Sequence, residues 1–299
     1  MNILITGAWQ NAGKHIHMIE EMGHQVTFLQ YEKDQLPCTS EWVEGVICNG
    51  LFLYHSIEQF TNLKYIQLTS AGYDRVPIDY VKEHNITIFN ARGVYSIPMA
   101  EYALSSALNL CKKSTFFHEN QKQKKWIKNR DLKELYKQTV CIIGCGSVGT
   151  ECAKRFKAFG TAIIGIDQYP YENEAFDQMY NINNLNDVLP TSDVIILTLP
   201  LTNETKHLIN EERLSLLKDE AVLINISRGA VIDTDALINA LINKNIYAIL
   251  DVFEEEPLNE KSPLWNYENV MITPHNSFVG EHNSERLSNL IIRNLSDLK

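Results

Sequence analysis

The chain has 299 residues, enough for two domains, and 44% of them are hydrophobic and 21% charged, as in ordinary globular proteins. The formal net charge of −10 disfavours a nucleic-acid partner, because DNA and RNA attract basic surfaces. No apolar stretch approaches the length that spans a bilayer, and the N-terminal MNILITG lacks the basic segment of a signal peptide, so we expect a cytoplasmic protein with no membrane partner.

Six cysteines stand at positions 38, 48, 111, 141, 145 and 152. They form no Cys-x-x-Cys pair, and no group of Cys and His has the spacing of a zinc site. Reduced thiols in a cytosol are the simplest account of this pattern, and no metal is predicted.

Residues 1 to about 92 alternate short apolar runs with segments of helical pattern. The runs are NILITG, QVTFLQ, GVICNG, YIQLTS and TIFNAR. Their spacing predicts a parallel sheet with crossover helices.

The stretch TGAWQNAGK, after the first run, approaches two nucleotide-binding patterns and meets neither. A P-loop has four residues between Gly and Gly-Lys, whereas five separate Gly7 from Gly13, and His15 stands where Ser or Thr is required. The short-chain dehydrogenase pattern lacks its middle glycine, since Asn11 stands there, and no Tyr of the chain has Lys four residues later. We predict a turn into a helix.

From Ile97 to about Lys124, apolar residues recur at helical spacing, with Pro98 in the first turn. This pattern predicts one long helix that leaves the first domain. The polar and basic run KKSTFFHENQKQKKWIKNR at its end indicates a solvated surface.

The stretch VCIIGCGSVG, which starts at Val140, contains a G-x-G-x-x-G pattern formed by Gly144, Gly146 and Gly149. The following CAKRFKAFG predicts an amphipathic helix, so the glycines lie between a strand and a helix. In that context the glycines permit a tight turn, a close approach of the backbone to a pyrophosphate, and close packing of helix on strand. The helix start presents free N–H groups to phosphates. One side of this helix is predicted to carry Ala153, Phe156 and Phe159.

The next strand, TAIIGID, ends at Asp167, about twenty residues beyond the glycines, where a carboxylate can bind ribose hydroxyls. A 2′-phosphate would require Arg or Lys at this point, but Gln168 and Tyr169 follow. The sequence therefore predicts NAD(H), not NADP(H), as the cofactor.

Further apolar runs predict buried parallel strands: DVIILTLP, AVLINIS, IYAILDVF and NVMITPH. With TVCIIG and TAIIGID these make six strands. Helices are predicted in NETKHLINEERLSLL, in TDALINALINK with Asp233 or Thr234 as its cap, and in EHNSERLSNLIIRNLSDL.

Charged side chains follow three successive strands: Arg228, then Asp251 with Glu254, Glu255 and Glu256, then His275. Ligands of parallel α/β sheets gather at the carboxyl ends of the strands. Taken singly, these residues indicate an ion pair, a solvated loop and a strand cap, so the functional prediction depends on their joint placement.

Together, the three residue types suit hydride transfer to a 2-keto acid. An Arg holds the substrate carboxylate with a two-pronged fork and polarises the ketone oxygen. A His protonates that oxygen, and a neighbouring carboxylate orients the His and favours its charged form.

The segments GCGSVG, NISRGAVID, LDVFEEEPL and ITPH resemble the D-isomer-specific 2-hydroxyacid dehydrogenase family, which includes phosphoglycerate, glyoxylate and hydroxypyruvate enzymes. The resemblance covers the C-terminal two-thirds, continues through TLPLTNETKHLIN, and extends more loosely to TSAGYDRV and NARGVYSIPMAEYAL. It implies an NAD-dependent enzyme acting on a small D-2-hydroxy or 2-keto acid.

The resemblance also implies residue roles. The catalytic residues would be Arg228, Glu256 and His275, with Glu254 and Glu255 as alternatives to Glu256. Cofactor contacts, besides the three glycines and Asp167, would come from Ser147, Val148, Thr198, Pro200, Thr205, Ile226 and Asp251. Substrate contacts would come from Ala71, Gly72, Tyr95 and Arg228.

The family fold implies two doubly wound parallel-sheet domains. A Rossmann NAD-binding domain, residues 97–278, would be inserted into a flavodoxin-like substrate-binding domain, residues 1–96 plus 279–299, with hinges near Ile97 and Phe278. The helix after Ile97 serves a dimer in the family, so a homodimer is expected.

The chain departs from the family pattern at the substrate end. Tyr73 replaces a small residue, and Arg92 and Tyr95 stand in a loop that is often Pro-Gly. The strand end before Gly50 lacks the basic residue that binds phosphate in phosphoglycerate members, which weakens the prediction of 3-phosphoglycerate as the substrate. Arg75 or Arg92 could still supply the positive charge. An NAD(H)-sensing regulatory protein on the same fold is the alternative function.

Overall fold

The computed structural model describes residues 1–298, and the chain divides into two compact units. Unit 1 comprises Met1–Tyr95 and the residues from Gly280 onward, and unit 2 comprises Ser96–Val279. Unit 2 is therefore an insertion in the chain of unit 1.

Residues 1–298 contain twelve strands, and all of them are short, as is usual in α/β proteins. Strands β1 to β12 are, in chain order, Asn2–Thr6, Gln25–Leu29, Gly45–Cys48, Tyr65–Leu68, Thr87–Phe89, Thr139–Ile143, Ala162–Asp167, Gln178–Asn181, Val194–Leu197, Val222–Asn225, Tyr247–Leu250 and Val270–Ile272. Helices α1 to α9 are Ile16–Glu21, Ile78–Glu83, Ser96–Cys111, Ser114–Lys122, Ser147–Lys157, Leu185–Val188, Glu211–Leu216, Thr234–Asn243 and Asn283–Ser296.

Unit 1 contains a five-stranded parallel sheet in the order β2-β1-β3-β4-β5, which is the flavodoxin-like order. Alternate residues of β1 point into different cores: Leu4 packs on one face, and Ile3 and Ile5 pack on the other. Helix α9 covers that second face with a stripe at helical spacing formed by Leu287, Ile291 and Leu295. This packing places the C-terminal helix in unit 1.

Unit 2 contains a seven-stranded parallel sheet in the order β12-β11-β10-β9-β6-β7-β8. The chain reverses its direction of winding between β6 and β9, as in dinucleotide-binding folds, and ligands bind at this switch point. The fold predicted from the sequence, two doubly wound α/β domains, is therefore confirmed.

The six predicted strands of unit 2 are all present, but a seventh, β8, was missed. Its sequence, QMYN, is mostly polar, and it pairs only with β7 at the edge of the sheet. None of its four residues is buried, so it lacks the apolar run that identified the other strands of this sheet.

The prediction of one long helix from Ile97 to Lys124 is wrong, because two helices, α3 and α4, occupy the segment. Lys113 has a left-handed backbone, with φ of 49°, and separates them. Helix α3 packs on α5 through small residues, Ala100, Ala103 and Ala107.

Two other helices are shorter than predicted. Helix α5 ends at Lys157, so Phe159 lies beyond it and is 41% exposed, whereas Ala153 and Phe156 are buried as predicted. Helix α7 begins only after Asn210, whose side chain accepts the N–H of Arg213 and caps it. Asp233, not Thr234, caps α8 by accepting the N–H of Ala236.

All six cysteines are free thiols. Among residues 1–298, no helix combines the length and the apolar character that crossing a membrane requires.

Candidate active site

The predicted catalytic residues follow three neighbouring strands of unit 2. Strands β10, β11 and β12 are adjacent and parallel, and their last residues, Asn225, Leu250 and Ile272, are level with one another in the register. The loops that carry Arg228, Glu256 and His275 therefore leave the same edge of one sheet.

Glu256 and His275 are in direct contact. One carboxylate oxygen, Oε2, lies 2.8 Å from Nδ1 of His275, and the other, Oε1, accepts the backbone N–H of Phe253 at 3.0 Å. Because an ionised carboxylate only accepts, Nδ1 carries the proton of this bond. The remaining ring nitrogen, Nε2, has no hydrogen-bond partner within the described chain.

The backbone of His275 is held in an unusual conformation. Its φ is 51°, a left-handed value that costs a non-glycine residue on the order of 1 kcal/mol. The N–H of His275 donates to the carbonyl of Asp251 at 2.7 Å, and the ring of Phe278 meets the imidazole edge-on at 5.9 Å. These contacts fix the ring, which suits a group that must exchange a proton at a defined place.

Asp251 holds the loop that carries His275. The residue is fully buried, and its carboxylate accepts the hydroxyl of Thr273 at 2.6 Å and the N–H groups of Asn276 and Ser277 at 2.8 and 2.9 Å. Three donors offset the cost of burying this charge.

Tyr102 of α3 extends this network, and sequence reasoning did not single it out. Its hydroxyl lies 2.6 Å from Oγ1 of Thr273, and burial, aided by the charge of Asp251, raises the pKa of this phenol although the bond to Thr273 lowers it. The phenol therefore keeps its proton and donates to Thr273, which donates to Asp251. No sequence signal marks the pair, because 171 positions separate Tyr102 from Thr273.

Arg228 stands in an extended backbone after β10, and its loop is shaped by Asn225. The side-chain oxygen of Asn225 accepts from the N–H and hydroxyl of Ser227, and its amide donates to the carbonyl of Arg228 at 2.9 Å. The guanidinium donates through Nη1 to the carbonyl of Ser227 at 2.8 Å. The half-buried side chain is thus positioned at the end of β10.

The glycine turn between β6 and α5 has the shape that a dinucleotide needs. A Cβ on Gly149 would lie 2.1 Å from the carbonyl oxygen of Gly144, so this close packing of helix on strand requires glycine. A Cβ on Gly146 would meet nothing within 4 Å, so open space faces the turn there. No side chain caps α5, which leaves the N–H groups at Ser147 and Val148 available to a phosphate.

The remaining predicted cofactor residues surround this turn. Asp167 ends β7, and its carboxylate accepts the N–H groups of Cys145 and Tyr169 at 2.8 and 3.0 Å. The hydroxyl of Thr198 donates to the carbonyl of Gly144 at 2.6 Å. Thr205 donates to the carbonyl of Pro200 at 2.7 Å, which closes the turn after β9, and Ile226 is 1% exposed after β10.

Unit 1 holds three of the four predicted substrate residues, Ala71, Gly72 and Tyr95, in the loops after β4 and β5. The amide of Asn90 donates to the carbonyl of Ala71 at 2.6 Å, and the hydroxyl of Ser70 donates to the carbonyl of Gly72 at 3.2 Å. The hydroxyl of Tyr95 donates to the carbonyl of Thr69 at 2.5 Å. These bonds fix the backbone of the loop after β4.

Comparison with known proteins identifies what the chain is similar to. The model of the NAD-binding domain of D-isomer specific 2-hydroxyacid dehydrogenases matches residues 104–277. A glyoxylate reductase of Pyrococcus horikoshii is 35% identical over 254 residues, covering 81% of this chain and 75% of the relative. A hydroxypyruvate reductase of Thermotoga maritima is 32% identical over 281 residues, covering 87% of this chain and 90% of the relative.

A solved structure of a D-isomer specific 2-hydroxyacid dehydrogenase family protein from Aeromonas salmonicida superposes with a TM-score of 0.84 at 28% identity. The superposition covers 98% of this chain and 94% of that one. The matched family model describes an NAD-binding domain, in agreement with the cofactor predicted from the sequence.

Proposed function

The chain belongs to the D-isomer-specific 2-hydroxyacid dehydrogenase family, and we propose that it reduces glyoxylate or hydroxypyruvate with NADH through Arg228, Glu256 and His275. The names of the relatives support these two small 2-keto acids as the first candidates. The overall reaction consumes the keto acid, NADH and a proton, and it yields the 2-hydroxy acid, in the D configuration where it is chiral, and NAD.

The observation that carries the proposal is the contact between Glu256 and His275. Because Nδ1 is bound to the carboxylate, Nε2 is the nitrogen left to give a proton to the ketone oxygen and to take it back in the reverse direction. The carboxylate of Glu256 fixes the tautomer of the ring and stabilises the imidazolium that takes part in each turnover.

Arg228 binds the substrate in this proposal. A guanidinium presents parallel N–H groups that match a carboxylate, and its charge polarises the neighbouring ketone. The N–H groups of Ala71 and Gly72, whose loop is fixed by Asn90, are proposed as further donors to the substrate carboxylate, with Tyr95 beside them.

NADH, when bound, supplies the hydride. The N–H groups of Ser147 and Val148 would hold its pyrophosphate, Asp167 its ribose hydroxyls, and Ile226 and Asp251 its nicotinamide end. Thr198, Pro200 and Thr205 would line the adenosine side.

A phosphorylated acid is disfavoured by the strand end of β3 in unit 1. The carboxylate of Glu32 accepts the N–H groups of Asn49 and Gly50 at 2.6 and 2.7 Å, so a negative side chain already occupies the donors of this loop. A phosphate placed there would be repelled.

Turnover of a panel of 2-keto acids, followed by loss of NADH absorbance, tests the proposal. The panel comprises glyoxylate, hydroxypyruvate, pyruvate, a branched and an aromatic 2-keto acid, and 3-phosphohydroxypyruvate, and chiral chromatography identifies the glycerate formed from hydroxypyruvate. We expect glyoxylate or hydroxypyruvate to be fastest and the glycerate to be D. Formation of L-glycerate, or equal turnover of the phosphorylated acid, would contradict the proposal.

Asp167→Asn is expected to weaken the binding of NADH and to increase the use of NADPH relative to NADH. The variant keeps an oxygen for the N–H of Cys145 but loses the charge that binds the ribose and repels a 2′-phosphate. Since hydrogen bonds to charged groups are worth about 1.5–3 kcal/mol, we expect kcat/KM for NADH to fall at least about tenfold. Steady-state kinetics with both cofactors measures the change. Asp187→Asn, at an exposed position of α6, is the control. An unaltered ratio of kcat/KM for NADPH to kcat/KM for NADH would contradict the role of Asp167.

We also propose a cytoplasmic homodimer. In unit 2, Trp126 is 95% exposed and Ile127 and Leu132 are 50% and 40% exposed, an apolar surface that favours burial against a second copy. Light scattering after size-exclusion chromatography gives the mass, and a value near twice 34.2 kDa is expected, whereas a monomer would reject the dimer.

A further inference from the structure

The loop that carries Glu256 is packed directly on the loop that follows Arg228. We call residues 252–257 the acidic loop and residues 228–234 the arginine loop. A Cβ added to Gly229 would lie 1.8 Å from the carbonyl carbon of Phe253, so the two backbones touch at this point. The placement of Glu256 therefore depends on how the two loops are joined.

Glu254 joins them, and His207 completes the junction. One oxygen of Glu254, Oε1, accepts the N–H of Thr234 at 2.9 Å, and the other, Oε2, lies 2.9 Å from Nε2 of His207. Burial raises the pKa of Glu254, but the hydrogen bonds from Thr234 and His207 outweigh burial and bring the pKa below its ordinary value. The carboxylate is thus ionised and accepts both bonds.

His207 is itself anchored to the arginine loop. Its N–H donates to the carbonyl of Ala230 at 2.8 Å, and its Nδ1 lies 3.9 Å from the carboxylate of Asp233. Its backbone φ is 51°, a left-handed value that directs the chain at this point. The backbone of His207 is therefore bound to the arginine loop, and its imidazole is bound to the acidic loop.

Glu254 and Glu256 connect the acidic loop to different partners. Glu254 binds His207 and Thr234, while Glu256 accepts the N–H of Phe253 and contacts His275. Phe253, directly before Glu254 in the chain, has its backbone against Gly229 and donates its N–H to Glu256. A displacement of Glu254 would move the N–H of Phe253 and with it the carboxylate of Glu256.

We propose that His207 and Glu254 form a positioning pair that holds the acidic loop against the arginine loop and so keeps Glu256 in place for His275. The inference rests on the proposed roles of Glu256 and His275. Neither member of the pair binds substrate or cofactor in this account. The side chain of His207 is 38% exposed and that of Glu254 is 32% exposed, so their ion pair contributes little to folding stability, whereas catalysis is sensitive to small displacements.

The test uses His207→Gly and Glu254→Ala, alone and together. Glycine removes the imidazole and accepts the left-handed backbone of residue 207 without strain. Because displacements on the order of 1 Å can cost about 100-fold, and Thr234 still holds Glu254 in the first variant, we expect His207→Gly to lower kcat about tenfold. The Kd for NADH and the melting temperature should stay near wild type, and the double variant should be no slower than Glu254→Ala.

Two controls distinguish positioning from a general loss of structure. His207→Gln keeps a donor near the position of Nε2 and should recover most of the lost kcat. Glu255→Ala removes a charge from the same loop at a residue that forms no hydrogen bond or ion pair within the described part of the chain, and it should leave kcat unchanged.

Parallel measurement of Glu256→Gln separates the failure of this inference from that of the proposed function. Wild-type kcat in His207→Gly, with a large loss in Glu256→Gln, overturns the positioning pair and leaves the catalytic roles intact. Losses in the two single variants that multiply in the double variant also overturn the pair, since they show independent effects. Wild-type kcat in Glu256→Gln overturns the catalytic roles themselves and, with them, this inference.

Discussion

His275→Ala is expected to lower kcat/KM for 2-keto acid reduction by about 1,000-fold, the range in which positioned acids and bases contribute. The variant loses Nε2, the nitrogen left to protonate the ketone oxygen while Nδ1 is bound to Glu256. The glycine turn and Asp167, at the end of β7, lie in other parts of unit 2, so the Kd for NADH, measured by fluorescence titration, should change by less than about threefold.

Glu256→Gln tests the carboxylate that contacts His275. The amide removes the charge that stabilises an imidazolium, and its single oxygen cannot accept from both the N–H of Phe253 and Nδ1 of His275, so we expect a smaller loss of kcat than in His275→Ala, about 100-fold. Glu255→Gln is the matched control in the same loop. Turnover close to wild type in both His275→Ala and Glu256→Gln would show that another group supplies the proton.

Arg228→Ala is the second large effect, and we expect kcat/KM to fall by about 1,000-fold or more. A guanidinium that forms paired bonds to a carboxylate and stabilises charge on the ketone oxygen acts in both binding and catalysis, so KM should rise and kcat should fall. Arg228→Lys should recover only part of the activity, because an ammonium ion lacks the planar fork.

Chemical rescue strengthens this experiment. Guanidinium ions added to Arg228→Ala should restore part of kcat, because the loop built by Asn225 and Ser227 keeps its own hydrogen bonds when the side chain is removed. Arg293→Ala, on the exposed face of α9, is the control for loss of a positive charge. A wild-type KM in Arg228→Ala would argue against substrate binding by this residue.

Most of the fold was predictable because its strands are buried on both faces. Strands such as β3, β4 and β9 are apolar runs without exposed positions, and such runs are visible in a sequence. The edge strand β8 has no such signature, and the break at Lys113 depends on a left-handed backbone that nothing in the adjacent lysines indicates. The enzyme class and NAD as cofactor are confirmed by the family match.

The candidate site was predictable in its outline because parallel strands end at one edge. That rule predicts from the sequence alone that Arg228, the acidic loop and His275 lie at the same end of the sheet. The sequence left three adjacent glutamates as candidates, and only the geometry shows that Glu256 contacts His275 while Glu254 contacts His207. The partners of these residues lie 19 and 47 positions away, beyond the reach of a local pattern.

The most direct test of the central claim measures NADH binding and NADH oxidation on the same wild-type sample. Fluorescence titration gives the Kd for NADH, and absorbance gives the rate with glyoxylate and with hydroxypyruvate. We predict saturable binding together with rapid oxidation that requires the keto acid and is lost in His275→Ala. Tight NADH binding without oxidation by any acid of the panel would contradict the account and would favour an NAD(H)-sensing protein built on this fold.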